Sequence, residues 1–359
     1  MVEISYFIAL GFLVLPALDY FVGLRVLPNV VPSGERDEKS SVGADGVSVI
    51  IACHNEATNI ERKVLEITSQ LHLARVGLFE IIVIDDGSCD DSLSILQNLE
   101  NKNVIKLIKV EYRKGKSHAI NLGVSASSFP VLLFSDVRQT LSEGAVKKLL
   151  SRLLDADVGA VSSQLELTGN ISPARRWVNI LKLRESNKGS TTGVCGALYV
   201  IKKELIEKLP EDTILDDLLI SLFVMKKGKR VVLEPEAIVH DVPFDQFYSG
   251  RRQGRITAGL IQILTHNSST LRRIGLVQLI FLYGQKYLKY TAPILYAIAS
   301  LIALFSEEIL MWHYSVTVVI ASILTLSNPL FVAQSLKLVS SYMLQLLKLD
   351  KYTKVKWDK

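Results

Sequence analysis

The sequence predicts an α/β fold on a mostly parallel sheet, flanked by membrane-crossing helices at both ends of the chain. Apolar runs of strand length at 47–52, 80–84 and 131–134 each stop at polar or acidic residues. Fully apolar runs of that length mark strands buried on both faces, as in parallel sheets. Segments with helical spacing alternate with them, the pattern of right-handed crossovers. Ile4–Leu24 is almost wholly apolar, and further apolar runs crowd the tail.

Taken in chain order, Ile4–Leu24 carries Asp19 as its only charge and is long enough to cross a bilayer, which takes roughly 20 apolar residues. It lacks the basic start and small-residue cleavage site of a signal peptide. Arg25 on its later flank orients the amino terminus outward and the following domain to the cytosol. The expected organisation is a transmembrane helix at 1–30, a linker at 31–45 and a soluble α/β domain at 46–245. Interfacial amphipathic helices at 246–285 and a transmembrane hairpin at 286–328 follow, then an interfacial helix and basic cytosolic tail at 329–359. In the hairpin, Tyr290–Phe305 and Ile309–Leu326 flank the acidic tip Ser306-Glu307-Glu308, with Lys286 and Lys289 as cytosolic anchors. Leu330–Leu347 is interrupted by Lys337 and reads as interfacial. Within the domain, helices are expected at Asn59–Leu73, capped by Thr58 or Asn59, and at Ser142–Leu154, and a further strand at 104–110.

Lys and Arg total 41 against 36 acids, a net +5, with no Arg-rich or aromatic-interleaved patch, so nucleic acid is not an expected partner. Cys53, Cys89 and Cys195 show neither a disulfide framework nor metal spacing and read as inert thiols of a reducing compartment.

The chemistry-bearing residues cluster where strands end. In open parallel sheets, ligands sit at the carboxyl ends of the strands. Asp85-Asp86-Gly87-Ser88 closes one run and His54-Asn55-Glu56 the run before it. A carboxylate at such a turn accepts a hydrogen bond from a pyrimidine imide, or simply ends the strand. Arg113-Lys114-Gly115-Lys116 stands just before a helix, the setting for a diphosphate, with Lys116 the favoured contact. Asp136 ends the fourth strand and offers hard oxygen ligands for magnesium or manganese, and His240, ending a later strand, is a second candidate ligand or a structural histidine. Asp216-Asp217 opens a helix: acids there either answer the helix dipole or supply a general base, for which Asp217 is the choice. Arg252 and Arg255 lie three apart, on one helical face, and serve either an anionic membrane surface or a leaving diphosphate.

Together these residues resemble the family 2 glycosyltransferases in their processive, membrane-bound branch, which includes cellulose, hyaluronan, chitin and poly-N-acetylglucosamine synthases. The resemblance covers about Val47 to Arg255. His54-Asn55-Glu56 is similar to the family's Tyr-Asn-Glu, and Asp85-Asp86-Gly87-Ser88 with Asp90 to its nucleotide-binding signature. Asp136 takes the first position of Asp-x-Asp, Gly193 to Gly196 resembles the glycine-rich acceptor loop, Asp216-Asp217 stands for Glu-Asp, and Arg252-x-x-Arg255 for Gln-x-x-Arg-Trp. Arg138 replaces the second Asp of Asp-x-Asp, and Ile256 replaces the Trp. The resemblance implies a GT-A (Rossmann-like) domain, inversion at the anomeric carbon, a divalent cation, and a nucleotide-diphosphate sugar, first among them a UDP-sugar. It implies donor contacts at Ala52, His54, Glu56, Asp86, Lys116, Asp136, Arg252 and Arg255, acceptor contacts at Gly193 and Gly196, and catalysis at Asp217 with Asp216. The expected role is building a cell-surface polysaccharide on a glycan or glycolipid acceptor at the membrane. Two alternatives stand beside it: transfer to polyprenyl phosphate, and a non-catalytic glycan-binding subunit that kept the fold.

Overall fold

A computed structural model describes residues 29, 46–168, 173–242, 246–287 and 309–310. The linker, the expected spans at 4–24 and 290–305, nearly all of 309–326, and the interfacial segment 330–347 lie outside these residues. Among the described residues, no helix is long and apolar enough to cross a membrane.

One eight-stranded sheet organises the main unit, in the order β3-β2-β1-β4-β7-β6-β8-β5. Its strands are β1 (Val47–Cys53), β2 (Phe79–Asp86), β3 (Lys106–Val110), β4 (Val131–Ser135), β5 (Thr140–Leu141), β6 (Val158–Leu167), β7 (Leu198–Lys202) and β8 (Arg230–Asp241). The first four pair in parallel, as the apolar runs require. β7 then enters antiparallel between β4 and β6, β6 and β8 pair in parallel, and β5 lies antiparallel to β8.

The helices are α1 (Ile60–Leu73), α2 (Ser92–Asn101), α3 (Lys116–Ala126), α4 (Ala145–Leu153), α5 (Pro173–Asn187), α6 (Asp216–Lys226) and α7 (Gln246–His266). Side chains alternate faces along a strand. Val47, Val49 and Ile51 of β1 therefore join one core with Ile60, Val64 and Ile67 of α1 and Val146, Leu149 and Leu150 of α4. Ile50 and Ile84 point the other way, onto α3 at Gly123. Each such fully buried side chain contributes about 1.5–3 kcal/mol. The result is a sheet covered by helices on both faces, whose strand ends stay open for a site.

Two details depart from expectation. α4 opens at Ala145, because Gly144 sits at φ 70, the left-handed region a helix cannot continue through. Ser142 joins β8 instead: its N–H donates to Ile238 O (2.9 Å) and its Oγ accepts from Ile238 N (3.1 Å). Asn59 does precede α1, but its amide donates to Glu56 Oε2 (3.3 Å) and Thr58 Oγ1 (3.1 Å) and makes no cap bond.

The chain divides into two compact units. Of the described residues, those within Pro28–Asp245 and Ile261–Gln278 belong to the unit that holds the sheet, and those within Gln246–Leu260 and Leu279–Val355 belong to the other. Within the latter, the Tyr287 hydroxyl donates to Leu260 O at 2.9 Å.

Candidate active site

The sheet edge where β1, β2 and β4 end gathers most of the residues singled out from sequence. Asp86, the last residue of β2, is buried, and its carboxylate grips the loop before α3. One oxygen accepts Lys114 N–H (2.8 Å) and the other Gly115 N–H (2.7 Å). Gly87 follows at φ 66, and a Cβ there would lie 2.6 Å from Arg113 N, so only glycine lets the two loops meet. His54 adds a tie: Nδ1 lies 2.8 Å from Asp86 O, which makes Nδ1 the protonated nitrogen.

These ties fix the start of α3, and hence Lys116. Its ammonium lies 2.9 Å from Asp136 Oδ1 and 3.5 Å from Asp216 Oδ2. Burial alone would lower the lysine's pKa, but the Asp136 and Asp216 carboxylates outweigh it and hold the pKa above the ordinary lysine value. Asp216 is pushed above the usual carboxylate range by burial, with Lys116 opposing and Asp217 and Asp136 adding to the rise. Asp136 itself is held by its N–H, which donates to Ala197 O (3.0 Å).

α3 also sets the approach to Asp216. Ser117 Oγ donates to Thr213 O (2.9 Å), and Asn121 exchanges two hydrogen bonds with Leu209 (2.8 and 2.9 Å). Gln262 completes the hold by accepting from Ile214 N (3.0 Å) and donating to Asp212 O (2.9 Å). Asp217 takes its neighbour's N–H, from Leu218, on Oδ1 (2.8 Å). Its Oδ2 faces the glycine loop, 3.4 Å from where a Cβ on Gly196 would stand. That loop is pinned by Lys182 Nζ to Gly193 O (3.1 Å), Val194 N to Ser221 Oγ (3.0 Å) and Cys195 N to Ser162 Oγ (2.8 Å). Ala52, Lys116, Asp136, Gly196 and Tyr199 line one small cavity beneath the edge, of about 10 Å³.

Sequence reasoning missed the support under the Asp136 loop. Four polar residues of α1 take up its backbone: Arg62 donates to Arg138 O (2.9 Å), and Lys63 to Gln139 O (2.6 Å). Glu66 accepts Leu141 N (2.8 Å), and Gln70 donates to Ser142 O (2.9 Å). Lys63 is fully buried and ion-paired with Glu66 at 2.6 Å. The signal was present: Lys63 and Gln70, seven apart, interrupt the apolar stripe of α1 on its buried face. The side chain of Arg138, on that same loop, pairs with Glu56 at 2.5 Å.

The remaining candidates are carried by other elements. His240 stands near the end of β8, opposite Thr140 of β5 and Glu166 of β6. Arg252 and Arg255 are half-buried on α7, in the second unit. The Cys53 thiol is pushed up to about 12, by burial first and then by the Asp85 charge, which keeps it protonated.

A divalent cation fits the donor chemistry at Asp136. Its Oδ1 is on Lys116, and Oδ2 carries no hydrogen bond among the described residues; Asp216 Oδ2, buried, has none either. Carboxylate oxygens are the hard ligands Mg²⁺ and Mn²⁺ take. Among the described residues, no three His, Cys, Asp or Glu side chains gather at one point, so the protein offers such an ion a partial shell.

Residues 48–210 match the model of the family described as Glycosyl transferase family 2. The chain is 22% identical over 206 residues to the poly-beta-1,6-N-acetyl-D-glucosamine synthase of Staphylococcus aureus (strain COL), covering 54% of this chain and 49% of that protein. The synthase of the same description from Staphylococcus epidermidis is 21% identical over 206 residues, with the same coverage. The chain therefore spans about half the length of these curated relatives. Among solved structures, a mannosyltransferase from Pyrobaculum calidifontis in complex with GDP-Man and Mn²⁺ superposes with a TM-score of 0.70 at 20% identity, over 99% of this chain and 100% of that one. That likeness establishes a shared GT-A-like architecture, a mixed α/β Rossmann-like sheet.

Proposed function

We propose that the chain is a member of glycosyl transferase family 2, whose model residues 48–210 match, and that it transfers a sugar from a nucleotide-diphosphate donor, with inversion, to a glycan or glycolipid acceptor. The observation that carries this reading is the contact of Lys116 with both Asp136 and Asp216 at one sheet edge, with Asp217 beside them facing the glycine loop. Three segments far apart in sequence thereby offer a fixed cation for a diphosphate, a carboxylate for a cation, and a base.

In this mechanism Asp217 Oδ2 takes the proton from the acceptor hydroxyl as its oxygen bonds to the anomeric carbon. The bond from that carbon to the diphosphate breaks, and the leaving nucleoside diphosphate keeps the electron pair. Lys116, held charged, faces the developing negative charge. Asp216 keeps Lys116 in place, and Asp86 holds the loop that carries it. Asp136 would hold Mg²⁺ or Mn²⁺, with His240 as a candidate second ligand; when bound, the ion neutralises diphosphate charge. The Mn²⁺ in the Pyrobaculum complex supports that cofactor. UDP-sugars are the first donors to test, given the resemblance to poly-N-acetylglucosamine synthases. Arg252 and Arg255 are assigned to the donor, and Gly193 and Gly196 to the acceptor.

The reading includes a membrane setting, with the segments at 1–30 and 286–328 as anchors and the catalytic domain in the cytosol. Detergent-purified full-length protein, incubated with a panel of UDP- and GDP-sugars with Mn²⁺ or with EDTA, tests the activity. Sugar release from at least one donor is expected, and faster with Mn²⁺. No release and no donor binding under either condition would refute the transferase assignment. Alkaline-carbonate extraction of native membranes tests the anchoring: the protein is expected to stay in the pellet.

A further inference from the structure

A second cavity, of about 180 Å³, opens between the end of β6 and α5. β6 contributes Gln164 and Glu166, which are two apart and so share one face of the strand. α5 contributes Arg176, Asn179, Ile180 and Leu183, three to seven apart and so on one face of the helix. Two hydrogen bonds shape the cup: Asn179 Nδ2 donates to Leu165 O (3.2 Å) and Gln164 Nε2 to Glu166 Oε1 (3.1 Å). None of these six residues takes part in the site described above.

Its position ties it to that site. β6 is antiparallel to β7 and β7 to β4, so β6 and β4 end at the same sheet edge, the edge of Asp136. Two residues before Gln164, Ser162 accepts Cys195 N, and one residue before Leu183, Lys182 donates to Gly193 O. The strand and the helix that wall the cavity therefore also hold the glycine loop, and Gly196 of that loop faces Asp217.

We propose that this cavity is a subsite for one neutral pyranose ring of the acceptor glycan, seated so that the chain continues past the glycine loop toward Asp217. The proposal rests on the transferase reading for its direction, and on the cavity alone for its ligand. The volume equals that of about six water molecules, which suits a single ring and falls below the roughly 300 Å³ where drug-sized pockets begin. Glu166 and Arg176 bring one charge of each sign, so neither an anion nor a cation is favoured. Two amides, a carboxylate and a guanidinium offer both donors and acceptors, as a ring of hydroxyls requires. Ile180 and Leu183 supply the apolar wall against which the C–H face of a pyranose lies.

The test uses the full-length protein in detergent, with methyl β-N-acetylglucosaminide and methyl α-mannoside as probes, observed by saturation-transfer NMR. Binding of at least one probe in the millimolar range is expected, and about tenfold weaker binding in Gln164→Ala and in Arg176→Ala. Ile180→Asp, which places a charge in the cup from an exposed position, is expected to abolish it. Thermal melting of each variant reports whether the fold is kept. No pyranoside binding to the wild-type chain, or undiminished binding in all three variants, overturns the proposal. Tighter binding of glucose 6-phosphate than of methyl glucoside also overturns it, in favour of an anion site. If the wild-type chain binds a pyranoside through these residues yet releases sugar from no nucleotide donor, the transferase reading fails and the sugar site stands.

Discussion

Lys116→Met removes the cation that pairs with both Asp136 and Asp216 among the described residues, and its consequence is set by Asp216. The lysine side chain is 17% exposed and that of Asp216 8%, so water replaces little of the lost charge. Breaking such a pair by deleting one partner costs about 3–5 kcal/mol. Asp216 has an escape, because it can bind a proton. At pH 7 that costs about 4 kcal/mol, from an unfolded pKa near 3.9 at about 1.4 kcal/mol per unit, and this sets the ceiling on the loss. Below pH 7 the ceiling falls by about 1.4 kcal/mol per pH unit. Asp216 already has a raised pKa in the folded protein, and the variant raises it further, so the folded state binds more protons than the unfolded chain across this window. Its stability relative to wild type therefore improves as the pH falls toward the carboxylate range. Lys116, whose folded pKa lies above the ordinary lysine value, stays charged over the whole window, so its own titration adds no slope there. In thermal melts with EDTA present, the variant is expected to lie about 8–12 °C below wild type at pH 7. By pH 5 the gap should shrink to about half or less. A gap that stays constant from pH 7 to pH 5 would mean that Asp216 is not the group left unpaired. Adding Asp216→Asn to Lys116→Met should remove most of the slope.

Asp217→Asn is nearly isosteric and keeps an acceptor for Leu218 N–H, so donor binding by calorimetry should be normal while transfer falls by about 10²-fold or more. Near-normal turnover would move the base elsewhere. Asp86→Ala leaves Lys114 and Gly115 N–H without their acceptor, so donor affinity should drop at least tenfold and stability by about 2–3 kcal/mol; a stability loss with unchanged donor affinity would make Asp86 a purely structural clamp. Lys63→Met strips Gln139 O of its donor and Glu66 of its buried ion-pair partner at a cost of about 3–5 kcal/mol, and should raise the donor KM several-fold with little change in kcat, because the loop bearing Asp136 loses an anchor. An unchanged KM after that substitution would show that α1 supports the fold without positioning the site.

The parallel half of the sheet and the residues at its edge could be read in the sequence because β2 and β4 are apolar runs closed by acids, at Ile81–Asp86 and Leu132–Asp136, and β1 is a largely apolar run closed by His54-Asn55-Glu56. The other half could not, since β6 and β8 carry polar residues among their apolar ones, β7 is short, and their order depends on pairings between distant segments. The same limit hid the meeting of Lys116 with Asp216, which depends on α3 holding residues 209–213 through Ser117 and Asn121. The sequence favours Asp217 as the base but does not show what Asp216 does. Helix geometry does: successive residues point about 100° apart at 3.6 residues per turn, so the two carboxylates leave the helix in different directions. Asp216 turns inward to Lys116 and is buried, which spends its charge on holding the cation in place. Asp217 turns toward Gly196, with its Oδ2 3.4 Å from where a Cβ on that residue would stand, and is only half-buried. In the proposed mechanism a base needs that exposure and a positioning acid needs the burial, so exchanging either residue of the pair at the start of α6 should disturb a different step.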